Sequence, residues 1–377
     1  MTIYDPGNPA SKLQGKWTEL LSRADVFLQQ SRLDVDQLMD LFDAKFVNPR
    51  YSTGGSVFSL QTSEEHNLST CSLEHLYIHI NGDAGQNQED LLKLLFRRIH
   101  QFVRLADALG WSFRELDKAI SVFQASLPWD LTFLTKLAQI QLLMNEHGVS
   151  FMSVMSWWSN LDTEGGSQSQ YDRLFLNETV VKPHDSIFEL NEERNELKYI
   201  QGEDLRKYIR DYADVVTAGL QISSSDLFLL MEELNIADDL TLDHLSQLYR
   251  HVSLARCLHL SVSNYVQMIH LVGQDPFQAN VPTSVLEFIE DVKKMNSFEF
   301  TPAEIQYILG RQKIGTDLEP SEKTITLLLL DIREKLVQIE KEFNIQELAD
   351  STEEKVSEWL TLLPKEAAMI EQFMAVI

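Results

Sequence analysis

Residues 90–110 read DLLKLLFRRIHQFVRLADALG. Leu92, Leu95, Phe96, Ile99, Val103, Ala106 and Leu109 recur there at steps of three and four, with Lys93, Arg97, Arg98 and Arg104 off that line. A helix turning once in roughly 3.6 residues gathers those apolar side chains into a single stripe, which predicts a helix buried on one face. The spacing returns at Leu205, Ile209, Tyr212 and Val216, and again at Leu227, Leu230, Met231 and Leu234. None of these segments is apolar all round, so each must bury one face against neighbours.

The ends of the predicted helices repeat as well. Trp111-Ser112-Phe113-Arg114-Glu115-Leu116 puts a serine three residues before a glutamate, and Phe300-Thr301-Pro302-Ala303-Glu304-Ile305 does the same with proline at the first helical position. This is a capping box: the hydroxyl accepts from the third backbone N–H, and the carboxylate reaches back to the N–H of the cap. Looser forms start at Asp34, Ser150, Ser223, Thr241 and Ser261. Successive caps are separated by roughly multiples of 19 residues, one short helix plus its turn, but too irregularly for a consensus repeat. The expected fold is all-α: an irregular multi-helix assembly with repeat-like helix-turn-helix packing and minor β or irregular insertions.

Composition supports that choice. Glycine (15) and proline (10) together are scarce in 377 residues, which disfavours a chain of short strands and tight turns. With 44% apolar and 24% charged residues the chain can build a core, which excludes wholesale disorder. Its length suits two or three domains or one extended assembly. Asp and Glu number 57 against 32 Lys and Arg, a net charge of −25, so nucleic acid and anionic membrane are disfavoured partners. Met1 to Pro9 have neither the basic start nor the apolar stretch of a secretory signal. The richest apolar run, Ile325 to Ile332, is far shorter than the roughly 20 residues of a membrane span, so a soluble chain is expected.

Two polar stretches break the helical pattern and divide the chain into residues 1–47 (N-terminal helices), 48–88 (insertion), 89–160 (helical), 161–202 (loop insertion) and 203–377 (second helical part). Within the first insertion, Ser56 to Leu60 and Leu76 to Ile80 suit a short hairpin, because Tyr77-Ile78-His79-Ile80 favours a strand. Such long connections are usually contact surfaces.

Chemistry is sparse. No Walker loop, GxGxxG, GxSxG or HExxH occurs, and Gly54-Gly55 and Gly165-Gly166 read as turns. Cys71, His75 and His79 would share a face if helical, a spacing that suits zinc, but strand propensity and the want of a fourth ligand favour a structural reading. His251, Cys257 and His259 read as ordinary packing or exposure, and Cys71 and Cys257 as buried free thiols rather than a disulfide. Glu232-Glu233 and Glu353-Glu354 read as solvated faces, and Trp111, Trp157 and Trp158 as core or interface anchors. No catalytic, cofactor-binding or metal-ligating residue is assigned, no cofactor is expected, and the chain is not expected to be an enzyme.

Several phrases resemble the A component of the bacterial insecticidal toxin complexes, the Tc toxins. The first is Arg23-Ala24-Asp25-Val26-Phe27-Leu28-Gln29-Gln30, followed by Leu33 and Lys45-Phe46-Val47-Asn48-Pro49. Arg98-Ile99-His100-Gln101-Phe102-Val103-Arg104-Leu105 runs into Leu109-Gly110-Trp111-Ser112 and Glu115-Leu116-Asp117. Tyr171-Asp172-Arg173-Leu174-Phe175-Leu176-Asn177 is the third. Leu254-Ala255-Arg256 to Leu260-Ser261, ending at Gly273-Gln274-Asp275-Pro276-Phe277, is the fourth. Their order and spacing resemble that family from about Lys12 to Gly310.

The resemblance implies part of an α-helical shell around a translocation channel, in a secreted toxin that is soluble before pore formation. Implied partners are the rest of the A subunit, further copies of it (five in the family), indirectly the B and C components, and a host-cell receptor. A channel-forming helical hairpin is lacking, so the chain reads as an excised fragment or a short relative, and translocation by it alone is not expected. The alternative is a free-standing helical module whose polar insertions recognise a peptide or a host-surface partner. Acidic faces meeting between subunits would repel more as pH rises and could help a shell to open, unless the charge serves solubility alone.

Overall fold

Caps read from the sequence open helices through the expected side-chain bond. A computed structural model describes residues 1–8, 10–51, 54–62, 73–81, 88–177, 186–201, 207–277, 281–298, 300–309 and 322–343. Asp34 opens α3 (Val35–Asp43) and Ser112 opens α5 (Phe113–Val122), each as a complete capping box with Gln37 and Glu115. Ser150, Ser223, Thr241 and Ser261 accept from the third backbone N–H of α7 (Phe151–Met155), α9 (Ser224–Glu233), α10 (Leu242–Cys257) and α11 (Val262–Val272). The seventh, Thr301, precedes α13 (Pro302–Ile308), with Pro302 at its first position.

The remaining helices are α1 (Trp17–Ser22), α2 (Ala24–Ser31), α4 (Gln88–Leu109), α6 (Leu131–His147), α8 (Ala213–Leu220), α12 (Pro282–Asn296) and α14 (Glu322–Phe343). Among the described residues the only strands pair two by two. β1 (Thr2–Tyr4) pairs with β2 (Lys12–Gln14), and β3 (Phe58–Thr62) pairs antiparallel with β4 (Leu76–Ile80) from Phe58 opposite Ile80 to Thr62 opposite Leu76. The fold is therefore mostly helical with minor β insertions, as the caps and stripes predict.

The expected hairpin forms with its first strand two residues later than read. Ser56 and Val57 are held elsewhere: Asn81 Nδ2 donates to the Ser56 carbonyl at 2.9 Å, and Val57 N–H donates to the Pro49 carbonyl at 3.0 Å. Residues 63–72, with Cys71, lie outside the described set, as do Pro183, Leu205 and Glu353-Glu354. The Leu205–Val216 stripe is not one helix. Ile209–Tyr212 forms a 3-10 turn, and α8 starts only at Ala213. Ile209 N–H donates to the Asp238 carbonyl at 2.7 Å and Arg210 N–H to its carboxylate at 3.1 Å, bonds that the preceding turn of an α-helix would have claimed.

Met1–Pro302 and Ala303–Ile377 are separate units. In the first, α3 packs on α5, α5 on α7, α6 on α7 and α12, and α9 and α10 on α11. On α4, Leu95, Phe96, Ile99 and Ala106 are buried as the stripe requires. Phe102, seven residues after Leu95 and on the same face, is fully buried as well, packed against Phe46 (5.8 Å) and Phe113 (5.6 Å). A second cluster joins Tyr171, Phe175 and Phe188 to Val216, Leu220, Leu227, Leu230 and Leu245.

Two glycines are dictated by geometry. Gly273 ends α11 at φ 77°, a left-handed conformation that costs glycine little. Gly219 lets α8 lie against Asp172–Leu176, a π-helical turn, because a Cβ there would come within 2.8 Å of the Leu174 carbonyl oxygen and the Phe175 ring.

Candidate functional site

A cleft of about 390 Å³ lies where the ends of α3, α5 and α7 meet the loop after Trp158. Its charged lining is Asp40, Asp43, Lys45, Arg114, Asp117, Lys118, Asp162 and Glu164. Each element has a local reason to be there. The Ser112 capping box sets the start of α5, and one turn later Arg114, Asp117 and Lys118 emerge together on its surface, as residues three and four apart do. α3 ends at Asp43, and the chain turns so that Lys45 and Phe46 point their backbone N–H groups at Asp117.

The charges are matched almost one by one. Asp117 accepts those two N–H groups at 3.0 and 2.8 Å. Burial raises the pKa of Asp117 above the usual carboxylate value, and the two N–H bonds oppose the shift. Asp162, only 5% exposed, takes the Arg114 guanidinium at 2.8 Å and the Lys118 ammonium at 3.4 Å. Arg114 also donates to the Glu164 carbonyl at 2.7 Å. Glu164 pairs with Lys45 at 2.5 Å. Burial pushes its carboxyl up, but Lys45 with Lys118 and Arg114 outweigh that and hold it below the ordinary glutamate value. Asp40 and Asp43 face solvent at the rim.

The arrangement is a clamp. Its ion pairs join α5 to residues 45 and 162–164, distant in sequence and close in space. Histidine and cysteine are absent from the lining, and its serines, Ser121 and Ser159, have no imidazole beside them there. Among the described residues no group of three or more His, Cys, Asp or Glu is placed to hold a metal ion.

The residues singled out in the sequence fall elsewhere. Trp157 is fully buried, edge-on to Trp158 at 5.9 Å, and donates from Nε1 to Ser253 Oγ at 3.1 Å. Trp111 packs edge-on against Phe151 at 4.9 Å. His75 ends a 3-10 turn (Leu73–His75) and His79 lies within β4, so the helical face that would align them does not form. His251 is buried and bonded to the Tyr265 hydroxyl at 3.0 Å, and burial with the neighbouring Arg250 cation pushes its pKa down to about 3. Cys257 is a half-buried free thiol. Glu232 and Glu233 are exposed, with Glu233 3.0 Å from His270.

The four toxin-like phrases fall on joints between segments. Arg23, at the corner between α1 and α2, bridges Asp25 at 2.6 Å and Asp5 at 3.1 Å. Asn48 is buried and clamps β3, giving its side-chain N–H to the Phe58 carbonyl at 2.9 Å and accepting the Phe58 N–H at 2.8 Å. Tyr171 donates to the Phe188 carbonyl at 2.8 Å, and Asp172 is paired with Arg194. Arg256 donates to the carbonyls of Leu220 and Gln221 at the end of α8. Asp275 accepts the Phe277 N–H at 2.9 Å, and that ring packs on Trp157 (6.1 Å) and His251 (5.0 Å). Sequence reading missed Asp162 and Ser246, whose hydroxyl accepts the buried Leu161 N–H at 3.0 Å. Their partners lie tens of residues away, and no local spacing marks them.

No protein-family model matches the chain. No curated protein matches it either. Among solved structures it is similar to Morganella morganii TcdA4, determined by cryo-EM, at 18% identity and a TM-score of 0.41. That similarity covers 68% of this chain and 11% of TcdA4, so the chain spans a small part of that protein's length. At such a TM-score the likeness carries no weight for fold or function.

Proposed function

We propose that this chain is a non-catalytic scaffold segment of a Tc-toxin A-type subunit, part of the helical shell around its translocation channel. The observation that carries the reading is the position of the toxin-like phrases. Arg23, Asp117, Tyr171 and Arg256 each tie together segments far apart in sequence, and Asn48 clamps the start of β3. A scaffold needs its distinctive residues at such joints, whereas a catalyst needs some of them free to meet a substrate. The charged cleft supports the same reading, because its inner carboxylates are already engaged by cations or backbone N–H groups.

The partners that follow are the remaining segments of an A-type subunit and further copies of it, with the B and C components reached indirectly. Sedimentation velocity of the intact chain mixed with a channel-bearing A-type subunit tests this. Co-sedimentation is expected. Two independent boundaries at micromolar concentrations would remove the scaffold reading and leave the helical binding module.

A further inference from the structure

His147 closes α6, and Gly148, left-handed at φ 64°, turns the chain into α7 beside one face of α10. A cavity of about 320 Å³ lies between them, at the lower end of the range of small-molecule sites. α10 contributes Tyr249, Ser253 and Arg256, which steps of four and three set on one face, and the neighbouring Cys257. The chain holds 57 acidic residues, yet none of the described ones lines this cavity.

Its polar groups have hydrogens to spare. Trp157 Nε1 donates to Ser253 Oγ at 3.1 Å, which leaves the Ser253 hydroxyl to donate in turn. The hydroxyls of Ser150, Ser153 and Tyr249 form a chain, 2.9 and 3.2 Å between oxygens, and two bonds among three hydroxyls leave one hydrogen over. His147 Nε2 is buried and has no partner among the described residues, a state that folded proteins rarely leave uncorrected. Arg256 gives Nη2 to the carbonyls of Leu220 and Gln221. Among the described residues no bond engages its Nε or Nη1, and no carboxylate pairs with it. The end of α8 offers that guanidinium about half a negative charge, so the rest of its charge stays uncompensated. Lys293 is close enough to act on His147 and Cys257, although Glu146, 3.9 Å from it, offsets its charge.

We propose that this cavity binds a phosphate group, either inorganic phosphate or the monoester of a small molecule. The unspent edge of the Arg256 guanidinium matches two phosphate oxygens as a fork. The remaining donors reach inward from α10 on one side and from residues 147–153 on the other. A tetrahedral oxyanion accepts from all of those directions, whereas a carboxylate accepts close to one plane. The net charge of −25 does not forbid the site, because charges farther away than about 8 Å are largely screened at physiological salt. The proposal stands on this cavity alone and applies equally to a scaffold or to a binding module.

Isothermal titration calorimetry of the full chain tests it, with sodium phosphate and separately with glycerol 3-phosphate, at an ionic strength held constant by sodium chloride. Saturable binding is expected with a Kd of about 1 mM or tighter for at least one of them. Tighter binding of glycerol 3-phosphate identifies the monoester as the ligand, and equal or weaker binding identifies the free ion. Cys257 lines the cavity as a free thiol, so saturating ligand is expected to slow its alkylation by N-ethylmaleimide severalfold, read by peptide mass spectrometry. Arg256→Gln keeps an N–H donor for the α8 carbonyls while removing the charge, and is expected to weaken binding at least about tenfold. His147→Phe, away from the α8 contact, is expected to weaken it severalfold and serves where Arg256→Gln fails to fold. No saturation by either ligand up to about 10 mM overturns the proposal. So does binding that leaves Cys257 alkylation unchanged, or binding that the folded variants retain in full.

Discussion

His251 makes the stability of the first unit depend on pH in a direction that follows from its surroundings. It is 4% exposed on α10, bonded through Nδ1 to the buried Tyr265 hydroxyl, with the Phe277 ring 5.0 Å away and the Arg250 cation beside it. Burial, then Arg250, lowers its pKa from 6.5 to about 3. The folded value lies below the unfolded one, so on acidification the unfolded chain binds the proton first. The stability is complete above pH 6.5 and drains away as pH falls toward 3. Each pH unit in that window costs about 1.4 kcal/mol, so going from pH 7.5 to 5.0 costs about 2 kcal/mol through this residue alone. Urea unfolding followed by tryptophan fluorescence at pH 7.5, 6.5 and 5.0 measures it, with His251→Asn as the reference. The variant is expected to be less stable at pH 7.5, because the asparagine fills less of the site, but to lose about 2 kcal/mol less on acidification. Equal losses in the two proteins would refute the reasoning.

Three further outcomes follow from the joints. Gly219→Ala forces a methyl within 2.8 Å of the Leu174 carbonyl and the Phe175 ring, and is expected to lower stability by about 1–3 kcal/mol in the same urea assay. Asp162→Asn leaves Arg114 and Lys118 without their shared carboxylate; since Arg114 is half exposed, about 2 kcal/mol is expected rather than the larger cost of a fully buried pair, and calorimetry reads it as a lower Tm. Asp34→Ala removes a complete capping box and should cost about 1 kcal/mol, whereas Asp36→Ala, at an exposed site in the same first turn, should cost less than half of that.

Helix starts were the most legible feature of the sequence, because a cap is a contact between residues three apart and the chain carries the whole of it locally. The α4 stripe was legible for the same reason, and Phe102, which packs on Phe46 and Phe113, belongs to it by spacing, seven residues after Leu95 and three after Ile99. Where a bond comes from far along the chain, local pattern misleads. Asp238 turns Ile209–Tyr212 into a 3-10 segment, and Asn81 shifts the first strand of the hairpin. The charged cleft was invisible for a related reason. Among 57 acidic residues nothing local distinguishes Asp162, which acquires its role only when α5 brings Arg114 and Lys118 to it.

The central claim is that the connections between these helices are fixed joints, holding distant segments in one cooperative body. Native-state hydrogen exchange tests it at the N–H groups of Phe46, Leu161 and Ile209, which give their hydrogens to Asp117, Ser246 and Asp238. The account predicts that all three exchange only through global unfolding of the first unit, with one free energy and one dependence on denaturant. Exchange at these positions through small local openings, at free energies well below that of α10 and α11, would contradict it.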